Sequence, residues 1–96
     1  MNVIVQYLGP IRAILNKKED EVDVSLRTTI YDLLKKLSAA HGKLFEGEIF
    51  EDDGKTLREG IIVTVNGWGI GRLEGLGTRL KVGDVVALLP LFAGGG

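Results

Sequence analysis

Ile30, Leu33, Leu34, Leu37 and Ala40 follow one another at spacings of 3, 4, 3 and 3. On a helix of 3.6 residues per turn these positions form a single apolar stripe, with Tyr31, Lys35, Lys36 and Ser38 off it. The punctuation agrees. Thr29 stands where an N-cap belongs, Asp32 lies three residues on as a weaker form of the capping box, and Gly42 follows His41 where the helix should end. A helix with one stripe needs one apolar surface to cover it. In a short chain, one face of a sheet supplies that surface.

The other segments read as that sheet. Residues 1–8 are rich in β-branched types, with Val3, Val5 and Tyr7 on one face and Asn2, Ile4 and Gln6 on the other. Gly9-Pro10 breaks this strand, and residues 16–21 read as a polar loop. Residues 22–27 alternate strictly, predicting a second strand with one wet face and an antiparallel pairing to the first across a long loop. Residues 43–60 scatter Leu44, Phe45, Ile49 and Phe50 among acidic residues. They read as a long connection holding a short helix or strand, with a turn at Asp52-Asp53-Gly54. Ile61–Val65 is the third strand, closed by Asn66-Gly67. A glycine-rich stretch follows, with a short edge strand expected over residues 68–72. Gly83-Asp84 turns the chain into a last strand over residues 85–91. That strand is apolar on both faces and so should be central or cover a partner site. The expected fold is an α+β roll whose helix crosses over between strands two and three.

Composition narrows the function. Ninety-six residues make one domain with a single core and little room for a deep pocket. With 12 basic and 13 acidic residues, the chain lacks the positive excess that dominates nucleic-acid binding. It has no cysteine, hence no disulfide, thiolate nucleophile or Cys-based zinc site. No signal-peptide pattern and no membrane-length apolar run are evident, so the expectation is a soluble, cytoplasmic protein. The glycines between Gly67 and Gly77 do not complete a G-x-G-x-x-G register, because Glu74 falls at the third position. The acidic residues from Glu46 to Asp53 lack the spacing of a calcium loop and read as a solvated face, so no metal site is expected. His41, the single histidine, sits near a helix C-terminus and has no evident acid or base partner.

The C-terminal third carries a more specific pattern. Val63-Thr64-Val65-Asn66-Gly67 is followed by Leu80-Lys81-Val82-Gly83-Asp84, the apolar run Val85 to Leu89, Pro90, and then Ala93-Gly94-Gly95. In this order the chain resembles the MoaD family, the small subunits of molybdopterin synthase. The resemblance covers nearly the whole chain in element order and is densest near the end. It departs from the family where Leu91 stands in place of a second proline, and where Gly96 adds a third glycine. It implies a ubiquitin-like β-grasp fold: a mixed sheet of four to five strands with one main helix across it, a domain over residues 1–92 and a flexible tail over 93–96.

What the resemblance implies chemically is a carrier without catalytic side chains, and so not itself an enzyme. An E1-like adenylating enzyme uses ATP to activate the C-terminal glycine. A sulfur donor displaces AMP and leaves a thiocarboxylate. The molybdopterin synthase large subunit then takes the tail, and the sulfur passes to a pterin precursor, forming the dithiolene that holds molybdenum or tungsten. No cofactor is expected on the chain itself, since ATP belongs to the activating partner. Gly94, Gly95 and Gly96 are the expected site of activation, and Gly96 leaves open whether it or Gly95 bears the working carboxylate. Residues of this kind suit the task. An α-carboxyl has a pKa of about 3.3–3.7 and is ionised at neutral pH. Glycine, without Cβ, passes narrow channels. Residues 93–96 fully extended reach about 13 Å.

Docking residues are expected where the last strand leaves the core. The candidates are Tyr7, Trp68, Leu89, Leu91 and Phe92, with Arg12 as a charged rim; the resemblance implies docking on the sheet face opposite the helix, near the tail. Aromatics and Arg are enriched at binding hot spots. The alternative is that these side chains are ordinary core. Two other functions share the pattern: a ubiquitin-like modifier joined through its terminal glycine to lysines of target proteins, and a β-grasp interaction module with an inert tail. A thiamine-pathway carrier is a variant of the first reading, though usually shorter, with residues 43–60 as the excess.

Overall fold

The structure is a computed structural model, which describes residues 1–91. The chain runs β1 (Asn2–Tyr7), α1 (Pro10–Leu15), β2 (Glu19–Asp23), α2 (Ile30–His41), α3 (Lys43–Ile49), β3 (Ile61–Val65), β4 (Trp68–Gly69) and β5 (Val85–Pro90). Two short 3-10 turns, Ile70–Arg72 and Gly75–Gly77, lie between β4 and β5.

The strands form one sheet in the order β2-β1-β5-β3-β4. β5 is central, as its two apolar faces require. It lies parallel to β1, with Val5 opposite Val86, and antiparallel to β3, with Val63 opposite Leu88. A parallel pair made from the two ends of the chain needs a crossover, and α2 with α3 supplies it. This is the expected α+β, β-grasp arrangement, with five strands among the described residues.

Side-chain alternation sorts the sheet into two faces. Val3, Val5, Tyr7, Val63, Val65, Val86 and Leu88 point into the core against Ile30, Leu33, Leu34, Leu37 and Phe45. Burying each of the larger aliphatic side chains stabilises the fold by about 1.5–3 kcal/mol before conformational entropy is counted. α2 begins with a complete capping box: Asp32 N–H donates to Thr29 Oγ1 and Thr29 N–H donates to Asp32 Oδ2, both at 3.1 Å. It ends at Gly42, whose φ of 96° suits a residue without Cβ.

Several local expectations need correction. The polar segment 16–21 is not all loop, because β2 starts at Glu19 and ends at Asp23. Charged residues enter β2 because it is an edge strand with one wet face. Between β1 and β2 lies the helix α1, started by Pro10 at its first turn. The helical stripe stops short of Ala40, which is exposed, whereas Ser38 is buried and satisfies its hydroxyl on Leu34 O at 2.8 Å. The edge strand expected over 68–72 is only two residues long, because 3-10 turns follow. Among the described residues, no helix is long and apolar enough to cross a membrane.

Candidate functional site

The root of the C-terminal segment is built by four parts of the chain. β5 runs out between β1 and β3, and Leu91 N–H donates to Gly60 O at 3.0 Å. Strand donors alternate sides, so the missing N–H of Pro90 falls on the β1 side. β1 has already ended there, and after Leu8 N–H bonds Leu88 O at 3.0 Å the chain turns away through Gly9. Gly9 has φ 61° and ψ −139°, a region open essentially to glycine alone. A Cβ there would lie 3.0 Å from Pro90 Cδ and Cγ. Glycine and proline therefore meet face to face where β5 leaves the sheet. Phe92, Gly94, Gly95 and Gly96, and with them the expected tail, lie outside the described residues.

Beside this root is the sheet face that carries no helix. Ile4, Ile62, Val85, Ala87 and Leu89 point to it and are half-buried. Register brings them together: Ile4 is opposite Val85, and Ile62 is opposite Leu89. On the β2 side the strip is bordered by Glu19 and Glu21, opposite Gln6 and Ile4. Asn2 Nδ2 donates to Glu21 Oε1 at 2.7 Å and leaves the second oxygen to the surface. The surface next to the tail root is thus an apolar strip with an acidic border.

The structure separates the expected docking residues. Leu89 lies on this strip, and Leu91, 47% exposed, follows it. Arg12 is exposed on α1, and its Nε donates to Tyr7 O at 2.9 Å. Tyr7 does not belong to a docking surface. It is fully buried, because an odd position in β1 faces the helices. Trp68 is exposed but stands elsewhere. It pairs with Val65, whose side chain faces the core, so it lies on the helix side of the sheet. Val65 is also opposite Val86 at the start of β5, the end away from Pro90. Ile4, Ile62, Val85 and Ala87 were absent from the expectation. The strand alternation carried the signal, since Ile4 was already placed opposite Tyr7's face.

The buried side of the sheet holds a polar cluster that sequence spacing did not disclose. Tyr7 OH donates to Asp20 Oδ2 at 2.7 Å, His41 Nε2 lies 3.0 Å from the same oxygen, and Lys17 Nζ donates to Oδ1 at 2.9 Å. The His41 ring meets Tyr7 edge-on with centroids 6.1 Å apart. Burial alone would raise the Asp20 pKa, but hydrogen bonds from Tyr7, Lys17 and His41 outweigh it and hold the carboxyl below its ordinary range. Burial, and then Asp20, push the Tyr7 phenol up and keep it protonated. The cluster ties β1 and β2 to the end of α2. His41 is thereby engaged in structure, and Asp20 is the acid partner that the sequence had not revealed. Among the described residues, no group of three or more His, Cys, Asp or Glu is placed to hold a metal ion.

The comparisons with known proteins bear on the whole chain. A family model described as the ThiS family matches residues 5–95. A protein of Archaeoglobus fulgidus named as a sulfur carrier is 36% identical over 83 residues, covering 86% of this chain and 91% of the relative. The crystal structure of SAMP1, a small archaeal modifier protein of Haloferax volcanii, superposes with a TM-score of 0.84 at 29% identity, covering 99% of this chain and 100% of that one. A Pyrococcus furiosus structure named as molybdopterin converting factor subunit 1 gives a TM-score of 0.74 at 25% identity, over 94% of this chain and 97% of that one. With the family model matched over residues 5–95 and a relative 36% identical over most of both chains, the chain belongs to the ThiS family of ubiquitin-like sulfur carriers.

Proposed function

We propose that the chain carries sulfur on its C-terminal glycine and delivers it for molybdopterin synthesis, as the small subunit of a two-part synthase. The observation that carries this reading is the exit of the central strand β5 beside a half-buried apolar strip, with Pro90 braced on Gly9. A partner that docks on Ile62, Ala87 and Leu89 would hold the domain while residues 92–96 enter its active site. The likeness to the Pyrococcus furiosus protein supports the molybdopterin assignment.

The chemistry balances without a catalytic side chain from this chain. A carboxylate oxygen of the last glycine bonds to the α-phosphorus of ATP, and pyrophosphate leaves. A sulfide equivalent attacks the acyl carbon and AMP leaves, giving the thiocarboxylate. An E1-like enzyme supplies the ATP site, and the large synthase subunit supplies the pterin precursor. The acidic border at Glu19 and Glu21 favours partners with basic residues at the matching rim. The test is incubation of the chain with an E1-like enzyme, MgATP and sulfide, followed by intact mass measurement. Replacement of one oxygen by sulfur is expected, and its absence overturns the reading.

The likeness to SAMP1 supports a second reading, conjugation of the same activated glycine to lysines of target proteins. Both readings share the adenylation step. Tryptic peptides from source cells with a glycine remnant on lysine would support conjugation. Co-purification of a large synthase subunit would support the carrier role.

A further inference from the structure

At the end of the sheet away from Pro90, a groove of about 630 Å³ opens between β4, the 3-10 turns and the turn that precedes β5. Its apolar wall is Val65, Leu73 and Trp68. Leu73 is 41% exposed and Trp68 57%. Arg79 and Lys81 line the groove, and the Arg72 guanidinium lies over the Trp68 ring, 5.9 Å from its centroid. None of these three cations forms an ion pair among the described residues.

The acids present do little to offset them. Asp84 is buried, and both its oxygens are occupied. Oδ1 accepts from Asn66 Nδ2 at 2.9 Å, and Oδ2 accepts from Lys81 N–H at 2.8 Å. Glu74 alone remains exposed against three cations. A chain with a formal net charge of −1 thus gathers unpaired positive charge around its single, largely exposed tryptophan. The apolar strip beside the tail root has the opposite border, with Glu19 and Glu21. The two surfaces therefore select partners of opposite charge.

We infer that this groove docks an acidic peptide segment of a partner protein, with an apolar side chain seated between Trp68 and Leu73 and its carboxylates against Arg79 and Lys81. Charge complementarity decides the occupant. Trp and Arg are the residue types that most often dominate such contacts. A nucleic-acid strand fits less well. Glu74 interrupts the basic lining, and Leu73 offers no stacking plane. Val86 to Pro90 spans about 13 Å at about 3.3 Å per residue, so a segment held here leaves the tail root clear. A carrier gripped at this groove can stay tethered to one protein while its tail works in another.

Trp68, the one tryptophan in the chain, reports on the site directly. The full chain is titrated with a synthetic peptide, Asp-Glu-Leu-Asp-Glu-Phe-Asp-Glu, while indole emission is followed. A saturable blue shift is expected, weakened about tenfold or more when ionic strength rises from about 0.05 to about 0.5 M. An Arg79→Glu/Lys81→Glu double variant should lose the shift yet melt within a few degrees of the parent, since neither side chain makes a hydrogen bond among the described residues. A peptide with lysine at every acidic position should not bind. The inference is overturned by the lack of a saturable shift, by undiminished binding to the double variant, by tighter binding of oligouridylate, or by self-association through this groove with no peptide binding.

Discussion

The pyrrolidine ring of Pro90 sits against the α-carbon of Gly9, so close that a Cβ on Gly9 would lie 3.0 Å from two of its ring carbons. This contact joins the end of β1 to the end of β5. Gly9 also has φ 61°. Gly9→Ala should therefore cost about 1–3 kcal/mol from backbone strain, and more from displacing Pro90. Gly42 is the comparator, with φ 96° and nothing within 4 Å of its Cβ position. Urea denaturation should show a larger loss for Gly9→Ala than for Gly42→Ala. Equal losses would mean that the Pro90 contact is immaterial.

Asp20 makes stability depend on acid. Its folded pKa lies below the ordinary value because of hydrogen bonds that exceed the effect of burial. A depressed carboxylate contributes stability above its unfolded pKa of about 3.9, and that contribution fades as pH falls through the folded value. The parent should lose stability on acidification through this window. Asp20→Asn should start less stable and show a shallower acid dependence. Thermal melts at a series of pH values between about 2 and 6 measure both slopes.

Asn66 closes β3 with φ 52° and serves the neighbouring turn. Its Nδ2 donates to Asp84 Oδ1 at 2.9 Å, and its Oδ1 accepts from Val85 N–H at 2.9 Å. Asn66→Gly keeps the backbone conformation and deletes both bonds, at a cost of about 1–3 kcal/mol. Asn66→Ala adds left-handed strain of about 1–2 kcal/mol. Chemical denaturation should rank the parent above the glycine variant and the glycine variant above the alanine one. A glycine variant as stable as the parent would remove these bonds from the account.

Leu89 faces the half-buried strip on the helix-free face, not the core, so Leu89→Arg should leave the far-ultraviolet circular dichroism spectrum unchanged. It should lower kcat/KM for adenylation by an E1-like enzyme about tenfold or more, as expected for a charge placed in an apolar interface. Trp68→Arg, on the other side of the sheet, should leave that rate near the parent value. The reverse ranking would move the activating interface to the groove.

The two kinds of periodicity explain which parts of the fold could be anticipated. The α2 stripe, its caps and the central place of β5 follow from patterns within a few residues. The start of β2 did not, because Glu19, Asp20 and Glu21 carry no strand propensity. They pair with β1 only because the edge position leaves one of their faces wet. Helix α1 was missed for a related reason. Six residues are too few to show a period, and Ile11 alone is buried.

The candidate site divides along the same line. Local sequence determined the alternation of β1, β3 and β5, the glycine that ends α2, and the motif order that marks the family. Tertiary structure decided which alternate side chains lie together. It placed Tyr7 inside, joined to Asp20 and His41, because pairing with β2 brings that carboxylate over the core. It also put Trp68 and Leu89 on opposite sides and ends of the sheet, although both look like surface anchors in the chain. The reason is register. A strand's period of two divides side chains between two faces, but only pairing with neighbours determines which residues share a surface.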